Sequence, residues 1–312
     1  MSSIADVAGR LRENIQKVIV GKSEVINLLI AALLSEGHIL LEDVPGTGKT
    51  TLAKALSASL GSKFQRIQFT PDLLPTDITG MNYFNMRTQE FEFRPGPLLS
   101  QIVLADEINR ATPKAQSALL EAMQERQMTL EGQTYYFERP FLVMATQNPI
   151  ELEGTFPLPE AQLDRFLIRV AVGYPTEEEE NAMLHRFRTG DPMQSLEPVV
   201  YNEELLEAIA NVREMRIGQA VQNYIVAIIR TTRDHNELEL GASPRASLAL
   251  YRMCQAWAAI NGRDYVLPDD AKTLAPYVLN HRVLVSPQTL LRGRTAEEIV
   301  EGVVDSVPVP VE

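Results

Sequence analysis

The 312-residue chain is 45% hydrophobic and 22% charged, with a mean hydropathy of -0.10. That is enough apolar material for a sizeable core and, at roughly 100–200 residues each, for about two domains. It carries 29 basic against 41 acidic residues, a net charge of -12, which argues against tracking a phosphate backbone or an anionic lipid surface. A lone cysteine, Cys254, excludes an intrachain disulfide framework and any zinc site built on two thiolates. No apolar run approaches the ~18 residues of a spanning helix. The polar, amphipathic start MSSIADVAGRLRENIQ lacks the apolar stretch of a secretory signal, so a cytoplasmic protein is expected.

In chain order, short apolar runs alternate with helical patterns over the first 190 residues, which predicts an α/β core with a parallel sheet. The candidate strands are His38–Leu41, Phe64–Phe69, Ile102–Ala105, Phe141–Ala145 and Ile168–Val172, read as apolar strands covered on both faces. Helices are expected over Thr50–Leu60 and over Pro113–Arg126, the latter with Thr112 as cap and Pro113 at its first position. Met81–Phe93 and Gln127–Phe137 interrupt the alternation as two hairpins, the second turning at Glu131–Gly132. Thr176 followed by a glutamate run opens a helix with a capping-box pattern. Beyond Gly190-Asp191-Pro192 the pattern is helical, so residues 191–312 are expected to form a second, smaller all-α domain.

The strongest local signal is Ile39-Leu-Leu-Glu-Asp-Val-Pro-Gly-Thr-Gly-Lys-Thr50, a strand feeding a glycine-containing loop that opens a helix. Gly46 and Gly48 let the backbone curl its amides toward phosphate oxygens. Lys49 can reach the terminal phosphates, and Thr50 can offer a hydroxyl to Mg²⁺. The strict pattern wants glycine at position 43, where this chain has Asp43. Fifty-seven residues beyond Lys49, the strand ending in Asp106-Glu107 brings two carboxylates to a strand C-terminus. Such a pair also serves as a plain helix cap; behind a phosphate loop it reads as a magnesium ligand, Asp106, and a residue that orients water, Glu107. The next strand ends in Thr146-Gln147-Asn148, where Asn148 could contact the γ-phosphate or simply form an Asn-Pro turn. Arg165 sits on a short helix leading into the last strand. Arg245 sits in the first turn of a helix capped by Ser243, where a cation opposes the dipole and suggests an external anion. A surface ion pair is the alternative for both. The four histidines lack ligand spacing, His38 reads as a packed structural residue, and Cys254 and Trp257 read as core.

These pieces together resemble the MoxR family of AAA+ ATPases, and the resemblance covers nearly the whole chain. It rests on VGK at Val20–Lys22, GHILLEDVPGTGKTTLAKAL, QFTPDLLPTDITG, FEFRPGPLLSQIVLADEINRATPKAQSALLEAMQE, FLVMATQNPIELEGTFPLPEAQLDRFL and SPRASLAL. The resemblance implies that Pro45, Gly46, Thr47, Gly48, Lys49, Thr50 and Thr51 form Walker A, with Val20 and Gly21 on the adenine side. It implies Walker B at Asp106 and Glu107, with Thr50 and Asp106 holding Mg²⁺. It further implies sensor 1 at Asn148, an arginine finger at Arg165 acting on a neighbour's ATP, and sensor 2 at Arg245 acting from the lid and tying lid angle to nucleotide state. Arg110 is a further candidate for an intersubunit contact. The two hairpins match the helix-2 insert and the pre-sensor-1 insertion.

The activity so implied is ATP hydrolysis in a homo-oligomeric ring, expected from the resemblance to be a hexamer, doing chaperone-like remodelling or maturation of partner complexes. The implied partners are a von Willebrand factor A-type domain protein and a client. A nucleotide-gated scaffold with little turnover and a metal-chelatase-type subunit are the alternatives. A nucleic-acid motor is disfavoured because the second hairpin carries Glu131 and no basic residue before Arg139, and the first only Arg87 against Glu90 and Glu92.

Overall fold

A computed structural model describes residues 3–149, 154–188 and 190–310. Residues 150–153, part of one string quoted above, lie outside the described residues. The elements run α1 (Ile4–Gln16), α2 (Ser23–Leu34), β1 (Ile39–Glu42), α3 (Lys49–Leu60), β2 (Phe64–Gln68), α4 (Pro75–Thr79), β3 (Gly80–Asn85), β4 (Glu90–Pro95), β5 (Ile102–Asp106), α5 (Pro113–Glu125), β6 (Gln127–Leu130), β7 (Gln133–Tyr136), β8 (Leu142–Gln147), α6 (Glu160–Leu163), β9 (Ile168–Val170) and α7 (Glu177–Phe187). Then follow α8 (Asn202–Val212), α9 (Gln219–Arg233), β10 (Leu238–Leu240), α10 (Pro244–Ile260), α11 (Pro268–Leu279), β11 (Leu284–Val285), α12 (Pro287–Leu290) and α13 (Ala296–Ser306).

Five strands form one parallel sheet in the order β2-β5-β8-β1-β9. Strand alternation splits the core in two. Ile39, Leu41, Ile102, Leu104, Leu142 and Met144 point to one face, while Leu40, Val103, Ala105, Val143 and Ala145 point to the other. The first face packs on α1, α2 and α3, and the same apolar cluster continues without a break into α8, α9, α10 and α11. The second face packs on α5 and the hairpins. All five expected strands are present, but β2 departs from the expected burial: it is an edge strand in which only Ile67 is buried. Arg66 and Gln68 alternate on its open side, a pattern suited to an edge and not to a strand covered twice.

The helix signals act as the local chemistry requires. Thr112 Oγ1 accepts from Ala115 N ahead of Pro113, and Thr176 and Glu179 close a reciprocal capping box on α7. Both hairpins form, and they dock on each other: Phe93 stacks on Tyr135 at 4.4 Å between centroids, and Asn82 donates to Glu131 at 2.8 Å. Glu131 and Gly132 both take positive φ, 48° and 84°, as a two-residue hairpin turn demands. Among the described residues no helix is long and apolar enough to cross a membrane.

His38 is a packed structural residue. Its Nδ1 accepts from Val143 N at 3.0 Å and its Nε2 lies 3.0 Å from Met123 O, which fixes the neutral ring with the proton on Nε2. Burial lowers its pKa from 6.5 to about 4. The unfolded chain therefore protonates it first, and the stability it contributes is complete above pH 6.5 and lost as the pH falls toward 4, by about 3 kcal/mol. His281, also buried and held well below its ordinary value, adds a slope of the same sign. Urea midpoints followed across this window should fall steeply with acid in the wild type and less steeply in His38→Gln; equal slopes would refute the assignment.

Candidate functional site

The sheet order builds the site. The loop leaving β1 and the tip of β5 are separated by β8, so the residues ending β8 stand between them. Asp43, Pro45, Gly46, Gly48, Lys49, Thr50 and Thr51 share one hollow of about 400 Å³ with Arg66, Asp106, Glu107, Thr146, Gln147 and Asn148. Gly46 and Gly48 take φ of 87° and 85°, and nothing lies within 4 Å of the space a Cβ would enter, so the curl is left open. The first turn of α3 then points its unsatisfied amides into the hollow.

Lys49 Nζ donates to the carbonyls of Asp43, at 2.9 Å, and Val44, at 2.7 Å. Burial, the larger influence, lowers its pKa, against the opposing pull of Asp43, Asp106 and Glu107. The departure from glycine at position 43 has a structural reason. Asp43 is 9% exposed, its Oδ1 accepts from Val44 N and its Oδ2 from Gly173 N, both at 2.7 Å. The side chain thus ties the phosphate loop to the chain leaving β9.

At the tip of β5, Asp106 Oδ1 accepts from Thr146 Oγ1 at 2.5 Å, and its Oδ2 accepts from Arg66 Nε and Nη2 at 3.0 and 2.6 Å. Glu107 takes a left-handed φ of 58°, and its amide donates to Thr146 Oγ1 at 2.8 Å. Its Oε2 accepts from Gln68 at 2.8 Å and pairs with Arg110 at 3.1 Å. Sequence reading missed Arg66 and Gln68; their alternation in β2 beside a strand ending in carboxylates was the available signal. Arg110, expected to reach outward to a neighbour, is held by Glu107 of its own chain. Thr47 and the Val20–Gly21 segment are not part of the hollow: Thr47 bonds back to Val44 O, and Gly21 packs against α7. Gly21 takes φ 65°, a strained value for any other residue, and a Cβ there would displace the Glu179 carboxylate.

The arginines lie elsewhere. Arg165 follows α6 in the turn before β9, not on the helix itself, and Arg245 opens α10 with Ser243 Oγ accepting its amide at 3.2 Å. Both line a second hollow with His38 and Leu167, which immediately precede β1 and β9. That is the N-terminal edge of the sheet, one strand length of roughly 13 Å from the phosphate loop. Arg245 therefore stands away from the phosphate loop of its own chain. An internal anion faces it: Asp164 lies 4.0 Å from Arg245 and 2.8 Å from the buried Arg282. Arg165 has no carboxylate partner among the described residues, and its Nε is buried without a hydrogen bond.

The donors suit magnesium. Thr50 and Asp106 are hard oxygen ligands, and Mg²⁺ is held by one or two such groups together with phosphate oxygens, not by a protein cage. Among the described residues no group of three or more His, Cys, Asp or Glu side chains could hold a metal by itself.

A phosphate loop, an acidic strand tip and a helical domain fused behind them define a nucleotide-binding ATPase fold with a lid. Residues 38–168 match the model of the ATPase family associated with various cellular activities (AAA), and residues 230–303 match that of the AAA lid domain. The chain is 50% identical over 304 residues to the uncharacterized protein YeaC of Bacillus subtilis, covering 97% of this chain and 95% of that one. It is 40% identical over 305 residues to the chaperone MoxR1 of Mycobacterium tuberculosis, covering 95% and 80%. A crystal structure of a candidate ATPase from Cytophaga hutchinsonii superposes with a TM-score of 0.92 at 37% identity, over 99% and 96% of the two chains. The chain belongs to the MoxR family of AAA+ ATPases.

Proposed function

We propose that this protein hydrolyses ATP, with Mg²⁺, in a ring of its own copies, and uses the cycle to remodel or mature partner protein complexes. The observation that carries the reading is the single hollow in which the phosphate loop faces Asp106 and Glu107 across the tip of β8. Lys49 and the amides of Gly46–Thr51 bind and orient the phosphates, and Pro45 shapes the loop's entry. Val20 and Gly21 stand on the adenine side. Thr50 and Asp106 would hold Mg²⁺, which when bound neutralises phosphate charge. Asn148 orients the attacking water, and Glu107 takes its proton as the bond from the γ-phosphorus to ADP breaks. Gln68 and Arg110 both engage Oε2 of Glu107, which leaves Oε1 to take the proton.

Arg165 and Arg245 serve the neighbour. Arg165 has no carboxylate partner among the described residues and lies on the sheet edge opposite the phosphate loop, so its natural anion is the γ-phosphate of the adjoining copy; Arg245, beside Asp164, stands next to it. A hexamer, a division into residues 1–190 and 191–312, a cytoplasmic location and a von Willebrand factor A-type partner complete the proposal, each supported by family resemblance. The chaperone role is drawn from MoxR1. Phosphate release from MgATP tests the core of it. Wild-type protein should turn over and Lys49→Ala should bind nucleotide at least about tenfold more weakly; wild-type release no faster than that of the variant would defeat the reading.

A further inference from the structure

Helix α7 is unusual in having no buried residue. Its inner side is fixed by polar contacts alone: Glu179 lies 3.8 Å from Lys22, and Arg186 donates to the carbonyl of Gln16. A separate stripe at helical spacing carries Glu177 and Glu180 in the first turn and then Leu184 and Phe187, while Met183 lies on the inner side with Glu179 and Arg186. Leu184 and Phe187 are 67% and 42% exposed. Because Gly173 is bonded to Asp43, the chain enters α7 beside the phosphate loop.

The other side offers a matching surface. A groove of about 460 Å³ between α8, α10 and the α2–β1 turn has apolar walls from Val212, Leu248 and Tyr251. It runs into the hollow of Arg165 and Arg245 through Ser35, Glu36, Arg126, Leu248 and Arg252, which line both. Together the two hold six arginines against two carboxylates, Glu36 and Asp164, so the groove is cationic on a chain of net charge -12. Glu36 is already spent: it pairs with Arg126, Arg139 and Arg213. Arg252 is exposed and has no ion-pair partner among the described residues.

We infer that the outer stripe of α7 docks in this groove on the next copy of the chain, with Glu177 and Glu180 toward its arginines and Leu184 and Phe187 against Leu248 and Tyr251. The occupant is a second copy because acidic and apolar groups on one side meet basic and apolar groups on the other. A head-to-tail contact of that kind repeats around a closed ring. The same contact turns Arg165 and Arg245 toward the neighbour's phosphate loop. The inference rests on the ring reading above and names the surfaces that make the ring.

Sedimentation velocity with Mg²⁺ and a non-hydrolysable ATP analogue tests it. Glu177→Lys with Glu180→Lys, and separately Arg213→Glu with Arg252→Glu, should each weaken assembly about tenfold or more. Arg213 pairs with Glu36 inside the chain, so its reversal should lower the melting temperature, whereas Arg252→Glu alone should leave melts unchanged and still weaken assembly. Combining both reversals in one chain, or mixing the two variant chains, should restore assembly, since each contact is then complementary again. If wild-type protein assembles and either variant assembles equally tightly, or the combined reversal fails to rescue, the docking is wrong and the ring reading stands. If the wild-type chain with nucleotide stays monomeric, both fall.

Discussion

Glu107→Gln is expected to keep ATP bound while turnover falls by about 10²–10⁴-fold, the range for losing a positioned general base. The replacement is nearly isosteric, and its amide can still meet Gln68, which lies 2.8 Å from Glu107 Oε2. The backbone at residue 107, with its left-handed φ and its amide bonded to Thr146, is untouched. What is lost is a group able to accept a proton at neutral pH. Equilibrium nucleotide binding and single-turnover phosphate release separate the two effects. Unimpaired release by the variant would remove Glu107 from the chemistry.

Arg165→Ala should be of similar size for a different reason. Arginine fingers contribute about 10³–10⁵ in rate, or roughly 4–7 kcal/mol, by neutralising charge that develops only in the transition state. Binding to the chain's own phosphate loop should be spared, because Arg165 lies at the other edge of the sheet. Mixing Arg165→Ala with Lys49→Ala then makes a sharp test. The first supplies an intact loop and the second an intact arginine, so mixed assemblies should recover phosphate release that neither has alone. Absence of any recovery, with mixing shown by co-sedimentation, would mean that Arg165 does not act across the seam.

Much of this was legible in the residues. Three central strands are runs of buried apolar side chains, and the loop between β1 and α3 declares itself through glycine, lysine and threonine at set spacing. What the local pattern could not give were facts of tertiary placement. Asp43 reads as a broken motif until Gly173 is found beside it. Arg66 and Gln68 read as interruptions of a buried strand until β2 proves to be the sheet edge. Arg165 could have been assigned to the far edge, since it precedes a strand. Arg245 could not, because its position depends on how the lid helices dock. The capping box of α7 was plain, but nothing local says that such a helix would bury none of its described side chains.

That docking bears on how work could leave the molecule. Met253 and Leu250 of α10 belong to the same apolar cluster as the side chains of α1 and α2, so lid and core share one packed interior among the described residues. Swinging the lid as a flap would expose several of these groups to water, at about 1.5–3 kcal/mol for each large side chain. Such a toll is hard to meet from one nucleotide. Each protomer should therefore travel as a stiff block, and displacement should be sought where blocks slide past one another.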